Sequence, residues 1–382
     1  MRQQRLARLA TALGLLGLLL GLGLGAPARA ATEPGAAAQA ALGWLLTRQQ
    51  ADGSFAGFDA GASADAIFAI VAAGADPNGV LKNGSSPVSY LGTQAAKYAA
   101  KSAAGAGKLT LAVVAAGKDP LSFGGVNLPA QIQRGYSGAT GRYGASTTDH
   151  VYALLGLAAT GQPIPPQALS ALGALQLPDG GWSFDGTAAS GSDTNTTALA
   201  VQALAAAGAR GAALDRALAY LRGQQNADGG FPYSKTSQYG GDSDANSTAS
   251  VIQALAAAGI DPRSLQQGQA DPLSALVSFQ NASGALRFQS AAPDDNDLAT
   301  AQAIPALLLK PFPLKTVRLP AQDAPTAPTP APAATPAPGQ PARLPNTGGG
   351  DPPSWLLGLG LALLLAGRLL KAADEGRRTK AA

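Results

Sequence analysis

Gln225-Asn-Ala-Asp-Gly-Gly-Phe231, followed by Asp244-Ala-Asn-Ser-Thr-Ala-Ser-Val-Ile-Gln-Ala-Leu-Ala-Ala-Ala-Gly259, is the stretch on which the fold turns. Ahead of it, Leu214, Leu218 and Leu221 fall on one face at helical spacing, so an amphipathic helix is expected over 214–225. The paired glycines permit positive φ, and a turn is expected there. Phe231 then plugs the joint between neighbouring units. A polar loop follows, and Asp, Asn, Ser and Thr gather just before an Ala-rich run, which is where N-caps are found. That run is apolar nearly all round, so its helix is expected to be buried.

The unit recurs. Asp52-Gly-Ser-Phe55 and Asp179-Gly-Gly-Trp182 repeat the turn, and Asp193-Thr-Asn195 and Asp294-Asp-Asn296 repeat the loop end. A helix is expected over 196–207. Helices ending Ala-Ala-x-Gly or a close variant finish at Gly74, Gly117, Gly161, Gly208 and Gly259, at spacings of 43, 44, 47 and 51 residues. Periods of this size mark stacked supersecondary units. The order helix, turn, loop, helix, about six times over, predicts an all-α double ring with polar-faced helices outside and Ala-rich helices inside. The first three units are degenerate: Asp65 and Asp149 lie near their loop ends, but neither belongs to an Asp-x-Asn.

The Gln-x-x-Asp-Gly-Gly-aromatic turn, with Thr197-Ala-Leu-Ala-Val-Gln-Ala-Leu204 and Thr248-Ala-Ser-Val-Ile-Gln-Ala-Leu255, resembles the prenyltransferase and squalene-cyclase repeat. The resemblance is strong over 170–304 and weaker before, and it implies an α/α toroid of about six helical hairpins over 31–317. The superfamily contains terpenoid cyclases, protein prenyltransferases, complement thioester domains and corrinoid-binding transport proteins. Fold alone therefore does not choose a function.

The residues choose against most of these chemistries. Cyclases of the resembling family protonate an alkene with the middle Asp of D-x-D-D-T-A. Here Asn195 holds that position in Asp193-Thr-Asn-Thr-Thr-Ala198, and an amide gives up no proton. Twenty aromatic residues are a thin supply for caging carbocations. With no cysteine, the prenyltransferase zinc set, a thioester and any disulfide are excluded. The single histidine, His150, stands by Asp149 and Ser146 without a nucleophile-elbow motif, and reads as a helix-start residue beside a capping aspartate. Asp242-Ser-Asp-Ala-Asn246 copies the start of an EF-hand loop, but Ser247 and Gln253 replace the required Gly and Glu. No metal is expected.

The ends carry addresses. Arg2, Arg5 and Arg8, an apolar run and Ala28-Arg-Ala30 read as a signal peptide over 1–30. Leu344-Pro345-Asn346-Thr347-Gly348, an apolar stretch over 355–370 and a basic tail resemble, over 344–382, an LPxTG cell-wall sorting signal, which implies a sortase, the cell wall and the membrane as partners. Between them, 318–343 is a Pro-rich linker with eight prolines in its last 24 residues, of polyproline II character. Of 27 basic and 23 acidic residues, four basic lie in 1–30, and five basic and three acidic in 348–382. That leaves 18 and 20 in 31–347, a net of −2, so the basic balance belongs to the ends and no nucleic-acid partner is expected.

The expectation is an exported domain on the cell wall or outer membrane face, serving as a non-catalytic binding module for a small ligand or surface partner. Its candidate ligand residues are Asp193, Asn195, Asp244, Asn246, Asp294, Asn296 and Asp297, ringing a mouth of positive helix ends, with Trp182, Phe231 and Tyr233 as apolar contacts. No cofactor is assigned; the resemblance alone implies a corrinoid as a candidate. The alternatives are an isoprenoid-active enzyme of the same fold using Asp297, and a purely structural surface module.

Overall fold

A computed structural model describes residues 33–57, 59–236 and 241–320. The signal peptide, the linker beyond Pro320, the LPNTG motif and the apolar stretch 355–370 lie outside these residues. Among the described residues no helix is long and apolar enough to cross a membrane.

Among the described residues, twelve α-helices form six hairpins. The first helix of each pair is outer: α1 (Pro34–Thr47), α3 (Pro87–Ala99), α5 (Leu128–Arg134), α7 (Pro166–Ala174), α9 (Ala212–Gln224) and α11 (Pro272–Ser278). The second is inner: α2 (Ala60–Ala72), α4 (Ala103–Ala115), α6 (Thr147–Ala159), α8 (Thr194–Ala206), α10 (Ala245–Ala257) and α12 (Asp297–Leu307). Each inner helix packs on the next, and α12 packs back on α2, so the ring closes. Two short antiparallel hairpins, β1 (Tyr136–Ser137) with β2 (Arg142–Tyr143) and β3 (Arg287–Gln289) with β4 (Ala292–Asp295), sit in the loops between outer and inner helices. They are the one departure from the all-α expectation and leave the two layers intact.

The two rings start differently. Five of the six outer helices have Pro in their first two positions, where its missing N–H costs nothing. All six inner helices start on a side-chain cap: Asp59, Ser102, Ser146, Asp193, Asp244 and Asn296 each accept a backbone N–H two or three residues on. They also end alike. Residues 75, 118, 162, 209, 260 and 310 donate back to the carbonyls of 70, 113, 157, 204, 255 and 305, the long bond of a Schellman motif. Glycine supplies the positive φ in five of the six; in the last, Leu309 does so at φ 54°.

The Gln-x-x-Asp-Gly turn is a clamp between hairpins. Gln49, Gln176, Gln225 and Gln280, the last with Ser283 in place of the Asp, each donate from Nε2 to the turn's glycine carbonyl and to a carbonyl at the start of the next outer unit, such as Ala213, Leu265 or Ala37. Gly229 holds φ +81°, and a Cβ there would lie 2.8 Å from the Ala270 carbonyl carbon and the Asp271 carbonyl oxygen. Gly53, Gly180 and Gly284 meet the backbone of Ser86, Arg216 and Ala40 in the same way. Gly230, by contrast, is not in the left-handed region.

The closest inner contact joins α4 and α6. A Cβ on Gly107 would run into the Tyr152 carbonyl, and Gly156 faces Gly107. Glycine lets the two backbones meet where a side chain would hold them apart.

After α12 the chain crosses the C-terminal mouth of the inner ring as a strap, 308–320. Gln253 Nε2 donates to the Lys310 carbonyl at 2.8 Å, and the Phe312 N–H donates to Gln202 Oε1 at 2.9 Å. Phe312 sets its ring edge-on to Phe68, with centroids 4.6 Å apart. The strap ends on α6, diametrically opposite α12, where Val317 and Leu319 donate to Ala159 and Thr160. A cleft of about 330 Å³ remains between strap and helix ends, walled by Ala158, Ala205, Ala257 and Phe312.

Candidate functional site

The inner helices are buried except along one stripe. Counting from each N-cap, the residues six positions on are Asp65, Lys108, Tyr152, Leu199, Ser250 and Gln302, one from each helix. Five of these six keep partial solvent exposure; Asp65 is buried. Two positions past the cap, Ala104, Thr148, Asn195 and Leu298 are likewise partly open. Residues repeating at two and six positions past the cap share a helix face. The stripe therefore lines the lumen, with Phe68, Phe312 and the strap at its C-terminal end.

A buried polar network occupies this lumen. Lys108 Nζ lies 2.8 Å from Asp65 Oδ2, with side chains 15% and 10% exposed. Gln302 approaches Asp65 from α12 and accepts from Asn246 Nδ2 at 2.8 Å. Burial pushes the Asp65 carboxyl up, while the Lys108 charge and hydrogen bond draw it back. Burial works against the Lys108 ammonium, but the Asp65 carboxylate, by its charge and its hydrogen bond, outweighs it and holds it above the usual lysine value. The pair therefore stays ionised: removing either charge would strand the other in a medium that solvates it poorly. Nearer the mouth on the same α2–α4 seam, Lys101 pairs with Asp59 at 2.9 Å, half exposed to water.

The residues expected from sequence divide into three groups. Asp193 and Asp244 are caps, accepting from Thr196 and Ser247 N–H, both at 2.7 Å. Both carboxyls are fully buried, and desolvation pushes each up to about 6 against those hydrogen bonds. Asp244 Oδ2 also takes the Ser247 hydroxyl at 2.7 Å, whereas Asp193 Oδ2 makes no bond of ordinary geometry, although the Tyr233 hydroxyl lies beside it. Tyr233 gives its carbonyl to the Thr194 N–H.

Asn195 and Asn246 are not caps. They stand in the first turn of α8 and α10 on the lumen stripe, and only Asn246 is part of the polar network. Asn195 Oδ1 is buried without a partner.

The third Asp-x-Asn is out of register. Asn296, not Asp294, caps α12, accepting from the Ala299 N–H at 2.8 Å. Thr300 confirms the alignment: it takes the Leu286 N–H as Thr197 takes that of Trp182 and Thr248 that of Phe231. Asp294 lies exposed in β4, and Asp297 pairs with Arg48 at 3.0 Å on the rim. Trp182 and Phe231 are fully buried, Trp182 with its indole N–H on the Leu172 carbonyl at 2.8 Å, so neither reaches a ligand at the mouth.

His150 fills the same place in its hairpin as those threonines. Its Nδ1 accepts the Tyr143 N–H at 3.0 Å, and Nε2 meets the Ala168 carbonyl at 2.8 Å. Ser146 is the cap, and Asp149 completes its capping box while also accepting from the Ala104 N–H. Burial pulls the imidazole pKa down, so His150 is a neutral structural ligand of the backbone.

Another cleft of about 540 Å³ lies on the rim, walled by Asn226, Asp228, Asp242, Ser243 and Gln289. Among the described residues no three His, Cys, Asp or Glu side chains gather where they could hold a metal.

No protein-family model matches the chain, and no curated protein does. Solved structures do. A protein from Actinoplanes is 16% identical over 72% of this chain and 98% of its own, with a TM-score of 0.49. The type II terpene cyclase MstE from Scytonema is 15% identical over 72% and 97%, with a TM-score of 0.49. The ent-copalyl diphosphate synthase from Streptomyces platensis is 18% identical over 71% of this chain and 49% of its own, with a TM-score of 0.37. These likenesses assign no activity, and the toroid rests on its own closed ring of helices.

Proposed function

We propose that the toroid is a non-catalytic binding module that takes a small ligand into the lumen through the N-terminal mouth of its inner helices. The observation that carries this reading is the Asp65–Lys108 pair in the lumen, surrounded by amide and hydroxyl groups. A polar, ionised lumen supports recognition by hydrogen bonds; an alkene cyclisation needs a strong acid and an aromatic cage. Asn195 stands where the acid would be. Asp297, the alternative acid, is tied to Arg48 at the rim. Asp65 is a carboxylate of the lumen itself, and its partner keeps it ionised. Of the aromatics, Tyr152 and Phe68 come from inner helices, Tyr98 from α3 and Phe312 from the strap.

In this proposal the module is exported and displayed at the cell surface, lifted from its anchor by the Pro-rich linker. Support for that part comes from the order of signal peptide, linker, LPNTG and basic tail in the sequence.

The test is twofold. Native mass spectrometry of the full-length protein isolated from its host should show a bound small molecule that leaves on denaturation. Incubation of the same protein with polyprenyl substrates should yield no cyclised product. Product that disappears with Asp65→Asn or Asp297→Asn, at unchanged melting temperature, would establish the isoprenoid enzyme instead.

A further inference from the structure

The α2–α4–α6 side of the lumen holds hydrogen-bonding capacity that the protein does not use. Lys108 carries three N–H donors and spends one, on Asp65. The hydroxyls of Tyr98 and Tyr152 make no hydrogen bond to another described residue, and Tyr152 holds on α6 the stripe position that Lys108 holds on the adjoining α4. Tyr98 belongs to an outer helix and reaches the lumen over Gly61. A Cβ on Gly61 would lie 2.8 Å from the Tyr98 hydroxyl and 3.6 Å from Lys108 Nζ. That glycine is thus the opening through which the tyrosine meets the ammonium.

We propose that the lumen's ligand is uncharged and rich in oxygen, the chemistry of a saccharide, bound through Lys108 and the hydroxyls of Tyr98 and Tyr152. This rests on the binding-module reading. Unfilled N–H and O–H groups call for acceptor oxygens. An anion would supply them, but Asp65 already neutralises the same ammonium from 2.8 Å, so a second negative charge would be repelled by that carboxylate at short range. A cation finds its carboxylate already occupied. A sugar hydroxyl accepts from the ammonium and donates to a tyrosine oxygen without adding charge.

Saturation-transfer NMR and calorimetry on the full-length protein test this directly. The probes are glucose, galactose, mannose and N-acetylglucosamine with their β-1,4-linked dimers, against glucuronate, glucosamine, glutamate and inorganic phosphate. At least one neutral sugar should bind, and Lys108→Met should weaken it about tenfold or more. Tyr152→Phe leaves the ion pair intact and should weaken it severalfold; this variant decides the matter if Lys108→Met does not fold. A response from dimers but not monomers identifies chain ends of a polymer as the source. Silence from every neutral sugar, or binding indifferent to both substitutions, overturns the proposal. Binding by glucuronate or phosphate alone overturns the ligand class and leaves the binding module standing, whereas polyprenyl turnover overturns the module itself.

Discussion

Replacing the Asp193 cap by asparagine should stabilise the protein at neutral pH, against the usual expectation for a buried hydrogen-bonded carboxylate. The carboxyl is buried and its pKa is pushed up to about 6. In the unfolded chain it returns to about 3.9. A group that binds its proton more tightly when folded stabilises the fold most below the unfolded value, and that contribution is lost as pH rises from about 4 through about 6. A two-unit difference corresponds to about 3 kcal/mol at most by pH 7.5.

Asparagine keeps the cap, as Asn296 does for α12, and loses only the charge–dipole attraction of about 0.3–1 kcal/mol. The net expectation for Asp193→Asn is about 1–2 kcal/mol of added stability at pH 7.5, shrinking to nothing near pH 4. Urea unfolding of wild type and variant at half-unit pH steps measures it. His150, whose pKa is lowered by burial, costs stability as pH falls below its ordinary value, but it does so in both proteins and cancels in the difference. If the variant is less stable than wild type at pH 7.5, or the difference does not change between pH 4.5 and 7.5, the burial argument is wrong.

The remaining predictions are simpler. Gly229→Ala combines a left-handed φ with a Cβ 2.8 Å from backbone and should cost about 2 kcal/mol or more in chemical denaturation; Gly223→Ala, with open space around it, should cost little or stabilise. Leu309→Gly places glycine where five other helix ends already have it and should be neutral or stabilise by up to about 1 kcal/mol, read from the melting temperature. Phe312→Ala should cost about 2 kcal/mol and make the strap cleavable by trypsin after Lys315, the bond after Lys310 being protected by Pro311. Thr347→Ala should leave unprocessed precursor at the membrane; unchanged wall-linked protein in cell fractions would discard the sorting signal.

The recurrence that predicted six hairpins is legible because it is structural chemistry repeated at most of the joints. Ala-Ala-x-Gly is a Schellman end, the Gln-led turn is a clamp to the next outer unit in four of the six hairpins, and a threonine four residues past the cap holds the turn in three. Where another residue meets the same need, the pattern disappears from view. Leu309 hides the sixth helix end, His150 hides the third threonine, and Ser146 with Asp149 caps as Asp193 does. The third Asp-x-Asn misled for a related reason: Asp294 and Asn296 match a spelling, while the cap belongs to whichever residue precedes the first helical turn. Asp65, Lys108, Tyr152 and Gln302 were illegible as a set. They align only when counted from caps that differ in each degenerate hairpin, and their chemistry is not repeated. The glutamines of Thr-Ala-x-x-x-Gln were visible as a motif, but their role depends on a strap more than fifty residues further along the chain.

That strap determines how the domain would respond to being pulled. The last helix of most chains is the first to peel when its end is drawn away, one hydrogen bond at a time. Here tension arriving through Pro320 meets α6, because Val317 and Leu319 are bonded to Ala159 and Thr160, and Gln162 Nε2 holds the Pro320 carbonyl at 2.9 Å. α6 lies midway through the sequence and is wedged against α4 by Gly107 and Gly156. The load is carried first by the wall of the ring opposite its closure, so α12 and the seam it forms with α2 stay slack until those bonds fail.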